Sequence, residues 1–182
     1  MRTLRYASAG LLLGVGWGVA ARIWMRLIST SPEFSWGGTL SILLGAGIVG
    51  LALGVVHAAR VRGRTGWWRL LYLLVPLLFA GAGLPLLPAV VLGGWGLRRG
   101  RFGRIVAGLA ILSAPVILVV MTWDEVTYWL TPYPENIYRL VLAAGGLLLG
   151  GTAAWASSLA LGPWRPWTVE RAEGHLLTRV PA

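Results

Sequence analysis

The chain has 182 residues, of which 57% are hydrophobic and only 12% charged. Soluble proteins carry about 45–50% apolar and about 25% charged residues, and a chain this short has too little interior to hide the excess from water, which leaves lipid as the solvent. The net charge of +10 raises nucleic-acid binding, but the basic residues lie between long apolar runs, as they do when they flank membrane spans; nucleic acid is therefore excluded as a partner and membrane lipids are expected instead.

All 16 basic residues are Arg, a side chain that stays charged and can fork to lipid phosphate. There is no cysteine, so disulfides, thiolate metal sites and Cys nucleophiles are excluded.

A membrane span takes about 20 mostly apolar residues. The apolar runs are continuous rather than alternating, which predicts helices over a β-barrel. The first predicted span covers residues 6–28. Arg2 and Arg5 ahead of an apolar run, with Val19-Ala20-Ala21 downstream, have the look of a secretory signal. The run is Gly-rich, however, and continues past that point as Ile23, Trp24 and Met25, so a retained helix is expected. The second span covers 37–59, with Ser35 or Gly37 as its cap. His57, near its end, lacks a second axial ligand for haem and is expected to hydrogen-bond at the interface. A basic loop follows with Arg60, Arg62, Arg64 and Arg69.

Residues 70–97 are apolar but broken by Pro76, Pro85 and Pro88. Crossing once would put the loop before them and the loop after them (Arg98, Arg99, Arg101 and Arg104) on opposite sides, which the positive-inside rule disfavours. Gly81, Gly83 and Pro85 mark a turn, giving arms at 67–82 and 84–97. Each arm of about 14 residues rises about 21 Å, short of the roughly 30 Å hydrocarbon core. A re-entrant hairpin buried among the other helices is therefore expected, against the alternatives of a thin, locally tilted pair of crossings and of one long tilted helix. The next span, 105–122, has a kink expected at Pro115, and the last covers 137–161. Residues 163–182 form a short polar tail. The fold class is thus all-α: a polytopic transmembrane helix bundle of four full spans plus the Pro/Gly-broken hairpin, five or six membrane segments in all.

Glycines four apart recur at Gly10, Gly14 and Gly18, at Gly50 and Gly54, and at Gly146 and Gly150. Small residues at this spacing let helix backbones approach closely in lipid, either across a homodimer or, as we expect here, within one bundle.

The candidate site is a charge cluster on the outer face. Arg22 and Arg26 share one helix face near the outer end of the first span, against the positive-inside pattern, and such groups usually find a partner. Glu33, Asp124, Glu125 and Glu135 fall on the same side in the hairpin topology, and Arg139 stands four residues after Glu135. Snorkelling to headgroups, a structural ion-pair cluster and an anion site are the alternatives. The aromatic and acidic loop 123–136 reads as an interfacial segment, or as a lid. The inner Arg-rich loops set orientation, or recruit anionic lipid.

No His-Glu-x-x-His helix, no Gly-x-Ser-x-Gly elbow and no close carboxylate set for Mg²⁺ occurs. No catalytic residue, cofactor or metal is assigned, and an enzyme is disfavoured.

Arg22, Trp24, Met25, Arg26 and Leu27, then Pro32, Glu33, Phe34, Ser35 and Trp36, then Gly38 and Thr39, make a segment that resembles one in small, uncharacterised multi-pass membrane proteins of high-GC, actinobacterial-type bacteria. The resemblance covers about a tenth of the chain. It implies residence in the bacterial plasma membrane and no particular activity. With the termini expected in the cytoplasm, the leading expectation is a non-catalytic accessory, scaffold or lipid- or partner-binding membrane component, acting alone, with a membrane protein partner or as a homo-oligomer. The alternatives are a transporter or flippase component, and an enzyme acting on lipid at the outer surface through Glu33, Asp124 or Glu125.

Overall fold

The computed structural model describes residues 2–29, 34–63, 66–79, 83–122 and 134–162. All regular structure among them is helical. Helix α1 (Arg2–Ile28) and helix α2 (Trp36–Val61) form an antiparallel pair. Ser35 caps α2, its hydroxyl accepting the Gly38 N–H at 3.2 Å, so of the two expected caps the hydroxyl prevails. The pair closes through glycine. A methyl group at Gly10 would strike the Gly50 carbonyl oxygen, one at Gly14 the Ala46 carbonyl, and one at Gly54 the Tyr6 carbonyl. Dispersion and close backbone contact hold helices together where lipid removes the hydrophobic drive. The glycine repeats of α1 and α2 are therefore used within the chain, as is Gly150, which faces Ala89 and Ala114.

The chain then makes the hairpin. A 3₁₀ segment (Gly66–Leu73) runs into α3 (Leu74–Phe79). The return arm, Leu84–Gly96, begins as a 3₁₀ turn (Leu84–Leu86), loosens to π-helical geometry at Ala89–Gly93 and ends as α4 (Gly94–Gly96). Both open ends lie at the end of the bundle where the last helix, α6 (Glu135–Leu161), finishes. Arg69 Nη2 donates to the Gly162 carbonyl at 2.8 Å, and Arg98 Nε to Ser158 Oγ at 3.0 Å. The arms are tied by Tyr72 Oη, buried and donating to the Val90 carbonyl at 3.1 Å. Phe79, close to the turn, meets Trp17 midway along α1 with ring centroids 5.6 Å apart. The segment therefore enters part-way and returns, which sets aside the single tilted helix. The two Arg-bearing loops share one end of the molecule, here called the arginine end.

Helix α5 (Arg101–Met121) passes through Pro115 without interruption, and the proline packs beside Gly146 of α6. Helices α1, α2, α5 and α6 are the four that are long and apolar enough to cross a membrane. Their outward faces are apolar too. Leu12, Leu44, Leu109 and Leu148, one from each of the four, are each at least 65% exposed, which in lipid is ordinary solvation. The chain is a multi-pass membrane protein.

Candidate functional site

Helix α1 touches α6 at only one end. Tyr138, 2% exposed, donates from its hydroxyl to the Ile28 carbonyl at 2.9 Å. Trp24 Nε1 donates to the Val141 carbonyl at 3.0 Å, its indole lying flush on Gly145. Trp17 Nε1 reaches Thr152 Oγ1 at 3.1 Å. Each buried polar tip of an aromatic has a partner, as the apolar surroundings require. Closer to the arginine end than Trp17, α1 stays with α2, and a cavity of about 680 Å³ opens between α1 and α6, bordered by α2 and the hairpin, while α2 itself packs through Leu53 and Val56 against Tyr72, Val75 and Val90 of the hairpin and Ala160 of α6. The cavity wall is apolar: Leu13 from α1, Val49 and Leu53 from α2, Phe79 from α3, Ala153 and Ala156 from α6. Ligand cavities are typically about 300–1,000 Å³, largely apolar with a few placed polar groups.

The polar groups are Ser41 at the end opposite the arginine end, Thr152 midway, and His57 and the buried Ser157 near the arginine end. Thr152 is spent on Trp17 and on its own helix. His57 packs edge-on against Tyr6 at 5.1 Å, and among the described residues its buried Nδ1 has no hydrogen-bond partner. The interfacial hydrogen bond expected of this residue is therefore not made by Nδ1.

Beyond His57 lies a convergence of arginines that the linear sequence does not display. Arg60, one turn on and 8% exposed, donates from Nη1 to the Leu159 carbonyl at 3.1 Å. With Arg69 on Gly162 and Arg98 on Ser158, three guanidinium groups from three segments grip the last turn of α6. The unsatisfied carbonyls there and the negative end of the helix dipole attract them. Arg99 lies over the Trp95 ring at 4.2 Å. Only the hairpin's return carries Arg98 back to Arg60, 38 positions earlier. The usable signal in the sequence is the serine pair Ser157-Ser158 at the close of the last span.

The charge cluster anticipated at the other end is partly within view. Arg22 Nε donates to Thr39 Oγ1 at 3.0 Å, and Thr39 donates in turn to the Ser35 carbonyl. Arg26 lies 5.4 Å from the centre of the Phe34 ring. Glu135 and Arg139 form an ion pair one turn apart on α6. Glu33, Asp124 and Glu125 lie outside the described residues. Among the described ones, Arg22 and Arg26 are thus joined to the start of α2, and Glu135 and Arg139 to each other. No group of three or more metal-capable side chains occurs among the described residues. No protein-family model, curated protein or solved structure matches the chain.

Proposed function

We propose that this protein is a non-catalytic lipid-binding component of the bacterial plasma membrane, holding a lipid chain in the cavity between the α1–α2 pair and α6. The cavity carries the reading: it has the size of a ligand site, its wall is almost wholly apolar, and it lies among the membrane helices. The arginine end faces the cytoplasm in this proposal, together with both termini, because Arg flanks favour that side. A lipid-translocating role is the second reading. It is favoured by Pro85 and Leu86 of the broken hairpin, which line the same cavity, since discontinuous helices often border substrate sites.

Ala9 is exposed and lines the cavity, so Ala9→Phe fills the space without disturbing the core. Wild-type protein purified in mild detergent is expected to carry co-purifying lipid by native mass spectrometry, and Ala9→Phe to lose most of it. Equal retention by both would sink the proposal. The side is tested separately in this cysteine-free chain with Arg62→Cys, Arg101→Cys and Asn136→Cys. An impermeant maleimide added to intact cells is expected to label the third alone.

A further inference from the structure

Among the described residues, no charged side chain lines the cavity. Most of the polar groups in its wall are already engaged. Ser41 donates to carbonyls of its own helix, and Ser157 hydrogen-bonds the Tyr72 hydroxyl. The indole nitrogens of Trp17 and Trp24 reach partners on α6. Trp155 is 59% exposed, toward the surrounding lipid. His57 and Tyr6 differ from all of these. They come from α2 and α1, both line the cavity near the arginine end, and their rings meet edge-on at 5.1 Å. Neither makes a hydrogen bond among the described residues. Nδ1 of the imidazole is buried, so Nε2 is the ring nitrogen left to meet a ligand. Polar groups in apolar surroundings are costly without partners, and here the partner has to come from outside the chain.

The wall restricts what that partner can be. A charged head would sit against apolar side chains with no counter-ion lining the space, which is unfavourable. A neutral imidazole carries one donor and one acceptor, and a phenol hydroxyl can act as either. An alcohol hydroxyl does both at once, so a single one can bond His57 and Tyr6 together; an ester or ether oxygen only accepts. His57 stands one turn before Arg60, the start of the basic loop, so a head at His57 is near the membrane surface and its chain runs toward the middle, as in any lipid leaflet. We propose that the cavity takes a single-chain, uncharged lipid alcohol, its chain lying along α1 and α2 toward Ser41 and its hydroxyl between His57 Nε2 and Tyr6 Oη. This rests on the cavity being a lipid-chain site, as proposed above, and names the class of lipid.

The test offers the full chain in mild detergent equimolar 1-monooleoylglycerol, oleic acid and 1-oleoyl lysophosphatidylcholine, which share a chain and differ in head, with retained lipid counted by native mass spectrometry. Wild type is expected to favour monooleoylglycerol over each of the others by about tenfold. Preference for oleic acid or for the lysophospholipid would overturn the uncharged head. His57→Phe keeps a ring against Tyr6 and removes both nitrogens; it should lower monooleoylglycerol retention by about fivefold, the scale of one hydrogen bond. Tyr6→Phe should act in the same direction. His57→Gln restores a donor and an acceptor and should recover most of the binding, whereas a loss equal to that of His57→Phe would mean ring packing alone and overturn the contact. A larger loss from Ser41→Ala than from His57→Phe would put the head at the opposite end and overturn it too. If Ala9→Phe expels all three lipids while His57→Phe and Tyr6→Phe change nothing, the head assignment fails and the chain site stands. If Ala9→Phe expels none, both fail.

Discussion

Helix α1 meets its two neighbours by different means. Against α2 it presents Gly10, Gly14 and Gly18, and the two backbones close until a single methyl group would not fit. Against α6 it presents Trp17 and Trp24, whose ring nitrogens reach across to a hydroxyl and a carbonyl. The first contact runs the length of the pair; the second ends at Trp17, where the cavity opens. Glycine lets helices touch continuously, whereas large aromatics join them at points and leave room wherever the next point is missing. In water such a gap would collapse under the hydrophobic effect. In lipid, apolar surface has no comparable drive to be covered, so a cavity can persist and be filled by a lipid chain.

This contrast can be broken by substitution, with thermal unfolding in detergent followed by circular dichroism as the common measurement. Trp24→Ala removes the wedge on Gly145 and the bond to Val141 and is expected to cost about 4 kcal/mol. Gly50→Leu drives a side chain into the backbone of Gly10 and Gly14 and should cost about 3 kcal/mol; a smaller loss than from Tyr138→Phe would show that the α1–α2 seam can part. Tyr138→Phe deletes the hydroxyl bonded to Ile28, at about 1 kcal/mol. Gly16→Leu sharpens the comparison. Nothing stands within 4 Å of a methyl group there, so the change should stay within about 0.5 kcal/mol. A large effect from it would mean that the lipid-facing side of α1 has a partner, such as a second copy of the chain.

The spans were legible because length and hydropathy are local properties. Spans read as 6–28, 37–59, 105–122 and 137–161 correspond to helices Arg2–Ile28, Trp36–Val61, Arg101–Met121 and Glu135–Leu161. The hairpin was legible for an electrostatic reason: two Arg-rich loops belong on one side, so the segment between them returns. Its mixed geometry was not. A π-helical turn after Pro88 and a 3₁₀ arm from Gly66 to Leu73 answer to neighbours such as Tyr72 and Val90 that are remote in sequence. The glycine spacing announced close packing, but the partner of each face came only from the fold. The arginines that drew attention lie at the end opposite the convergence on α6. Arg22 and Arg26 stand out locally because they break a pattern, whereas Arg60, Arg69 and Arg98 obey it and look ordinary until they meet.

The sequence by itself determined that this chain lives in lipid, that it is helical, where its long helices run and that its broken segment doubles back. Each of these follows from solvation of a stretch of chain by its surroundings, and solvation is read residue by residue. Tertiary structure decided which glycine faces which carbonyl, that α1 leaves α6 after Trp17, and that guanidinium groups from three segments close on the last turn of α6 beside an apolar cavity. Those are meetings between parts far apart along the chain, and in a membrane they are selected by shape and by the few polar groups that must find partners. Hydropathy, which is nearly uniform along these helices, carries no record of them.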